Sequence, residues 1–274
     1  MSEQTQTLVA TPVRKRRLRL RDFNEITVPA ITLIAVVILW ELASRLFDIP
    51  EYLVPAPSRI WADSMQMKEA MLMHTLVSTR TIMLGFLLSI VVSFPLAVLI
   101  TYSRFFEQAI YPLLILTQSI PKVALAPILV IIFGPTELPR VVVTFLVAFF
   151  PLVISMTAGL LAAPPELIEL VRACRATRMQ EFFRIRLPFA VPFIFSGLKV
   201  AITLSVVGAV VGEFVAADQG LGYLITTSTA FFKTPVAFGA MAILSVLGIV
   251  FFQVISAAER ILFPWAIKDN RSGS

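Results

Sequence analysis

The sequence predicts an all-α membrane protein with six transmembrane helices, and three observations carry that expectation. Of the 274 residues, 58% are hydrophobic and only 15% are charged, where a soluble domain averages about 45–50% and about 25%. The apolar residues gather in long runs, and runs of about 18 or more are long enough to cross a bilayer as helices. The basic residues collect at the ends of those runs, as the positive-inside rule requires.

Residues 1–25 are polar and basic. The stretch RKRRLRLRD places six Lys or Arg between Arg14 and Arg21, a topogenic cluster that holds the N-terminus in the cytoplasm. The apolar run behind it is too long for a signal-peptide core and precedes no A-x-A-like cleavage site, so it is expected to stay in the membrane. Spans are expected at about 27–46, 78–102, 109–133, 141–162, 189–212 and 236–257. With the N-terminus inside, fifteen of the 23 Lys and Arg fall on inner segments and six on outer ones, so both termini are expected in the cytoplasm. Glu41 and Arg45, at i,i+4 spacing near the outer end of the first span, are expected to pair. The outer loop 47–76 contains PAPSRIWADSMQMKEAM, a turn and then an amphipathic helix capped by Ser58, suited to the outer membrane face. The domain organisation is then a basic segment 1–25, a first span with its external loop 26–71, a main transmembrane domain 72–260 and a tail 261–274.

Several function classes are excluded. One cysteine, Cys174, allows no intramolecular disulfide, and with one histidine, His74, it makes no ordinary metal site. No Gly-Lys pair occurs, so the chain has no P-loop for ATP. No His, Asp or Cys cluster stands at catalytic spacing, which argues against an enzyme. The net charge of +6 sits at helix ends rather than on a nucleic-acid-binding face.

Residues 164–188 interrupt the apolar pattern with three Glu and five Arg. An arginine at the centre of a span costs about 2.5–3.5 kcal/mol, so five would cost on the order of 12–18 kcal/mol. The segment is therefore a cytoplasmic loop between spans four and five, and it has helix grammar. Pro164 and Pro165 suit a first turn, with Glu166 favoured by the helix dipole. Leu167, Leu170, Val171 and Cys174 form one apolar stripe, flanked by Glu169, Arg172 and Arg175. Thr177 and Gln180 form a capping box. A first short helix is expected to end near Arg175–Ala176, and a second to run from Thr177 until Pro188 closes it and starts the fifth span. The exposed ridge fits either a docking surface for a partner or an amphipathic hairpin on anionic lipid.

This stretch resembles the EAA loop of ABC importer permeases, whose pattern is E-A-A-x-x-x-G, nine residues, then I-x-L-P. Glu169 holds the Glu position, Leu170 and Val171 the Ala positions, and Ile185, Leu187 and Pro188 the closing elements. Arg175 stands at the Gly position, where it does not easily adopt a left-handed backbone and is expected to extend the first helix or pair with an acid on the partner. SIPKVALAPILVIIFG from Ser119, GEFVAADQGLGYLI from Gly212 and the ending ERILFPW are similar to permeases of the nitrate, sulfonate and taurine importer group, with IFGPTELPR replacing the usual W-F-G-x-G. The resemblance, which runs from about residue 30 to 266, implies the type I importer permease (MetI-like) architecture in a bacterial inner membrane. It implies a homodimer working with two ABC ATPase subunits and a periplasmic or lipoprotein solute-binding protein. ATP is then bound by the partner, and this chain needs no cofactor. It also implies that Glu169, Leu170, Val171, Arg172, Cys174, Arg175, Thr177, Ile185, Leu187 and Pro188 form the coupling surface toward the ATPase. Substrates in that group include sulfonates, nitrate, aromatic carboxylates and pyrimidine- or riboflavin-type precursors.

A translocation path is expected where the third span is broken. Pro121 and Pro127 each remove a backbone donor, and Gln118, Ser119 and Lys122 lie beside the break. Lys122 either lines the path, favouring anions, or snorkels or pairs with a carbonyl. Glu213 is a candidate for the path, a gate, a contact with an external binding protein or an interfacial position. The glycines of DQGLGY suit a re-entrant turn. Lys199 is expected to snorkel and His74 to sit at the interface. The rival reading, an ion-coupled secondary transporter, calls for paired intramembrane acids or an inverted repeat; only Glu41 and Glu213 are available, both near span ends.

Overall fold

The computed structural model describes residues 20–265. Arg14 to Arg19 of the basic cluster, and Lys268 and Arg271 of the tail, lie outside the described residues. The chain divides into two compact units, residues 1–49 and 50–274. The first contains α1 (Leu20–Leu46), in which Arg45 and Glu41 make the expected ion pair at 2.6 Å.

The second unit begins with α2 (Pro57–Gln66) and α3 (Lys68–Tyr102). The expected amphipathic helix is present, but its cap is Ala56, and Pro57 rather than Ser58 sets its first turn. It is held against the last helix rather than left as a free surface element. The expected second span starts ten residues early, as α3 runs without a break from Lys68 through Pro95 to Tyr102. The third expected span is broken. Helix α4 (Arg104–Gln118), a 3₁₀ turn (Lys122–Leu125) and α5 (Ala126–Phe133) follow one another, with an 88° bend at the break. Pro121 stands there without an N–H to continue the ladder.

Next come α6 (Glu137–Leu161), α7 (Pro165–Ala173) and α8 (Arg178–Glu181). A π turn over Phe182–Arg186 joins α8 to α9 (Leu187–Ala216) without interruption. Pro188 therefore does not close the second loop helix. Its ring would meet the carbonyl of Arg184 in a regular α-helix, and Arg184 lies in the wider π turn. A turn leads to α10 (Leu221–Ala230), and α11 (Thr234–Leu262) completes the bundle. Among the described residues, five helices are long and apolar enough to cross a membrane, and the bent α4–α5 pair supplies the sixth crossing if taken as one span.

The core forms where α6 packs along both α3 and α9, burying Ile82, Leu152, Val153, Met156 and Ile202. Small residues set the approach. Thr144 on α6 is met by Gly85 from α3 and by Gly208 from α9, and a Cβ at either glycine would collide with it. Close helix contact through small residues is the usual way to pack helices that gain nothing from leaving lipid. Gly85→Leu is expected to cost about 1–3 kcal/mol by overpacking, read as a lowered melting temperature in detergent. Gly248→Ala, whose nearest neighbour lies 3.9 Å from the new Cβ, should melt as the wild type does.

Candidate functional site

The loop between α6 and α9 folds as two short helices joined by a tight reversal. Helix α7 ends in a Schellman motif. Ala176 N–H donates to Val171 C=O at 3.1 Å and Arg175 N–H to Arg172 C=O at 2.9 Å, with Arg175 at φ +57°. The expectation that Arg175 would avoid left-handed backbone is thus overturned. The conformation costs about 1–2 kcal/mol without glycine, and the reversal is held on both sides. Thr177, immediately after it, forms the expected capping box: Gln180 N–H donates to its hydroxyl at 3.3 Å, and its own N–H donates to Gln180 Oε1 at 2.8 Å.

On the outward face of α7, Glu169, Leu170 and Cys174 are exposed, with Leu170 at 59%. Leu167 and Val171, on the same stripe, are half-buried. Arg175 and Thr177 are exposed at the reversal; Ile185 and Leu187 are half-buried and Pro188 exposed at the start of α9.

What fixes the loop to the bundle is Glu181, which the sequence reading did not single out. Its carboxylate is 3% exposed and joins two arginines, Arg172 of α7 at 3.0 Å and Arg186 of the π turn at 2.8 Å. Arg186 also donates to the carbonyl of Leu160 at the end of α6, at 3.0 Å, and stacks 5.5 Å from the Tyr102 ring at the end of α3. One buried carboxylate thereby ties α7, the π turn, α6 and α3. The available signal was a single acid within a strip of five arginines.

A second polar cluster lies at the other end of α9. Glu213 is 1% exposed, in the last turn of a helix that continues past the expected end of its span. It accepts from Gly222 N–H at 2.7 Å and from the Ser78 hydroxyl at 2.8 Å. Ser78 Oγ accepts from Leu221 N–H at 2.8 Å, and His74 Nδ1 from Gly220 N–H at 3.0 Å. Three successive backbone donors at the start of α10 are therefore capped by side chains of α3 and α9. Arg140 of α6 donates to the carbonyl of Gln219 at 3.1 Å. The expected turn in DQGLGY is present, with Gly220 at φ +115° and pressed against the Glu213 carboxylate, where no side chain would fit. His74 is buried here, and its ring supplies the cap for Gly220.

At the break after α4, Gln118, Ser119 and Pro121 are exposed and Lys122 is half-buried. Lys122 Nζ lies 3.4 Å from the carbonyl of Gln118 and 4.9 Å above the Phe150 ring. Glu213 spends its hydrogen bonds on Ser78 and Gly222, not on these residues. Lys199 does not snorkel: it pairs with Glu259 of α11 at 2.5 Å, a partner sixty residues away in sequence.

Residues 85–268 match the family described as binding-protein-dependent transport system inner membrane component. The chain belongs to this family. The formylaminopyrimidine transport permease protein ThiX of Halalkalibacterium halodurans is 36% identical over 88% of this chain and 96% of its own length. The riboflavin transport system permease protein RibX of Chloroflexus aurantiacus is 32% identical over 95% and 98%. The taurine transport system permease protein TauC of Escherichia coli is 24% identical over 94% and 97%. An inward-facing structure of the MetNI methionine ABC transporter superposes with a TM-score of 0.63 at 20% identity, covering 72% of this chain and 97% of that one, and shows the same fold. The protein is a multi-pass membrane permease of the ABC importer class, with the MetI-like fold, and not an enzyme.

Two predictions follow from these clusters. Arg175→Gly relieves the left-handed backbone and should stabilise the permease by about 1 kcal/mol, read as a raised melting temperature. Glu181→Ala leaves Arg186 buried without its acid and should cost about 3 kcal/mol, whereas Glu169→Ala on the exposed face should melt within about 0.5 kcal/mol of wild type.

Proposed function

We propose that this permease works as a homodimer that forms the path of an ATP-driven importer in a bacterial cell membrane, with both termini in the cytoplasm. Its loop 164–188 docks on an ABC ATPase subunit, one per protomer, through Glu169, Leu170, Val171, Cys174 and Arg175. The observation that carries this reading is the shape of the loop. Its apolar ridge is exposed at Leu170 and Cys174, yet its backbone is fixed to the bundle by Glu181, Arg172 and Arg186. A rigid, exposed ridge tied to α3, α6 and α9 transmits a push from a partner directly into the spans. A hairpin merely resting on lipid has no need of such anchoring.

Substrate arrives from an external solute-binding protein and passes the break around Gln118, Ser119, Pro121 and Lys122. The substrate is a small organic anion or a related solute. Of the three relatives named above, the two more similar carry the names of a formylaminopyrimidine and a riboflavin transporter, which favours a nitrogen heterocycle of the vitamin-precursor type over a sulfonate. Glu213 supports the path from behind by holding the start of α10.

The deciding experiment is the ATPase activity of the permease co-purified with its ATPase subunit. Glu169→Lys should abolish co-purification or the stimulated activity while leaving the melting temperature of the permease unchanged. Uptake into proteoliposomes that contain the permease but no ATPase would reject the proposal.

A further inference from the structure

Two cavities share lining residues at the end of the bundle that carries the 164–188 loop, and the docking residues named above line neither. One, of about 370 Å³, runs along the end of α3 and is lined by Phe94, Val98, Met179, Phe182 and Phe183. The other, of about 290 Å³, is polar, with Thr101, Arg172, Glu181 and Arg186 in its wall. Tyr102 and Arg178 line both, so an apolar groove and an arginine-rich pocket share one wall.

The charge in the pocket is unbalanced. Three guanidinium groups stand around one carboxylate, and Glu181 is already bonded to Arg172 and Arg186. Arg178 has no acidic partner among the described residues; its carbonyl accepts from the Phe182 N–H and, at 3.4 Å, from the Tyr102 hydroxyl. The groove is unbalanced in the other sense. Met179 and Phe183 are 66% and 56% exposed, on a helix end that the sequence otherwise makes cationic. Tyr102 ends an apolar helix of 35 residues, the place where aromatic side chains collect at a membrane surface.

We propose that this double cavity binds one anionic phospholipid, with its phosphate at Arg178 and one acyl chain along Phe94, Val98 and Phe183. The excess positive charge selects an anionic over a zwitterionic headgroup. The adjoining groove selects a lipid over a free anion, because a free phosphate fills the polar pocket and leaves the aromatic wall bare. The inference rests on the importer reading only in placing the loop end at the inner membrane surface.

Native mass spectrometry of the detergent-purified full chain tests it, with phosphatidylglycerol and phosphatidylcholine of matched acyl chains as probes. Wild type should retain phosphatidylglycerol about fivefold better, the preference expected from one arginine near the surface. Arg178→Gln should lose that preference, and Val98→Trp should lower retention of both lipids. Met179→Asp, at an exposed position, spoils the groove in a second way if Val98→Trp does not fold. Equal retention of the two lipids, or an unchanged preference in Arg178→Gln, overturns the site. Displacement of phosphatidylglycerol by inorganic phosphate alone overturns it in favour of a simple anion pocket. Co-purification of the ATPase subunit reads the importer proposal separately, so a failure of one is not mistaken for a failure of the other.

Discussion

Inside a bilayer, every backbone N–H and C=O has to find its partner within the protein. This chain leaves regular helix geometry at several points, and at a number of them a side chain, often from a distant part of the sequence, supplies a partner. His74, Ser78 and Glu213 take the three donors at the start of α10. Arg140 donates to the carbonyl of Gln219 in the turn before it. Arg186 donates to the carbonyl of Leu160 at the end of α6, and Lys122 approaches that of Gln118 at the end of α4. The charged residues retained near the spans are thus largely fasteners of helix ends.

The same economy shapes the loop 164–188. Exposed short helices are rarely rigid by themselves. Here the rigidity comes from below. Glu181 is buried between Arg172 and Arg186, the Schellman reversal and the capping box fix the angle between α7 and α8, and the π turn carries α8 into α9 without a joint. Arg175 in a left-handed conformation shows how firmly the reversal is specified, since its neighbours hold it there without a glycine.

Much of this was legible from local pattern. The helical class, the approximate spans, the capping box at Thr177, the pair Glu41–Arg45 and the turn in DQGLGY all rest on neighbours within a few residues, where side-chain chemistry acts directly on the backbone. The fold at Arg175 was misread because the local cost of a left-handed arginine was weighed without the two hydrogen bonds that offset it. Pro188 was misread because a π turn, rather than a helix end, makes room for its ring.

The sequence by itself determined that this chain lives in a membrane and, approximately, where its helices run, because hydrophobicity is a property of the residues alone. Only the tertiary structure decided what the polar residues do. His74 and Glu213 are 139 positions apart in the chain and cap one helix together; Lys199 meets Glu259 across sixty residues; Glu181 gathers α7 and α6 to itself. Such pairings depend on which helix faces which, and that is set by small residues such as Gly85 and Gly208 closing on Thr144, a packing choice that no local pattern records.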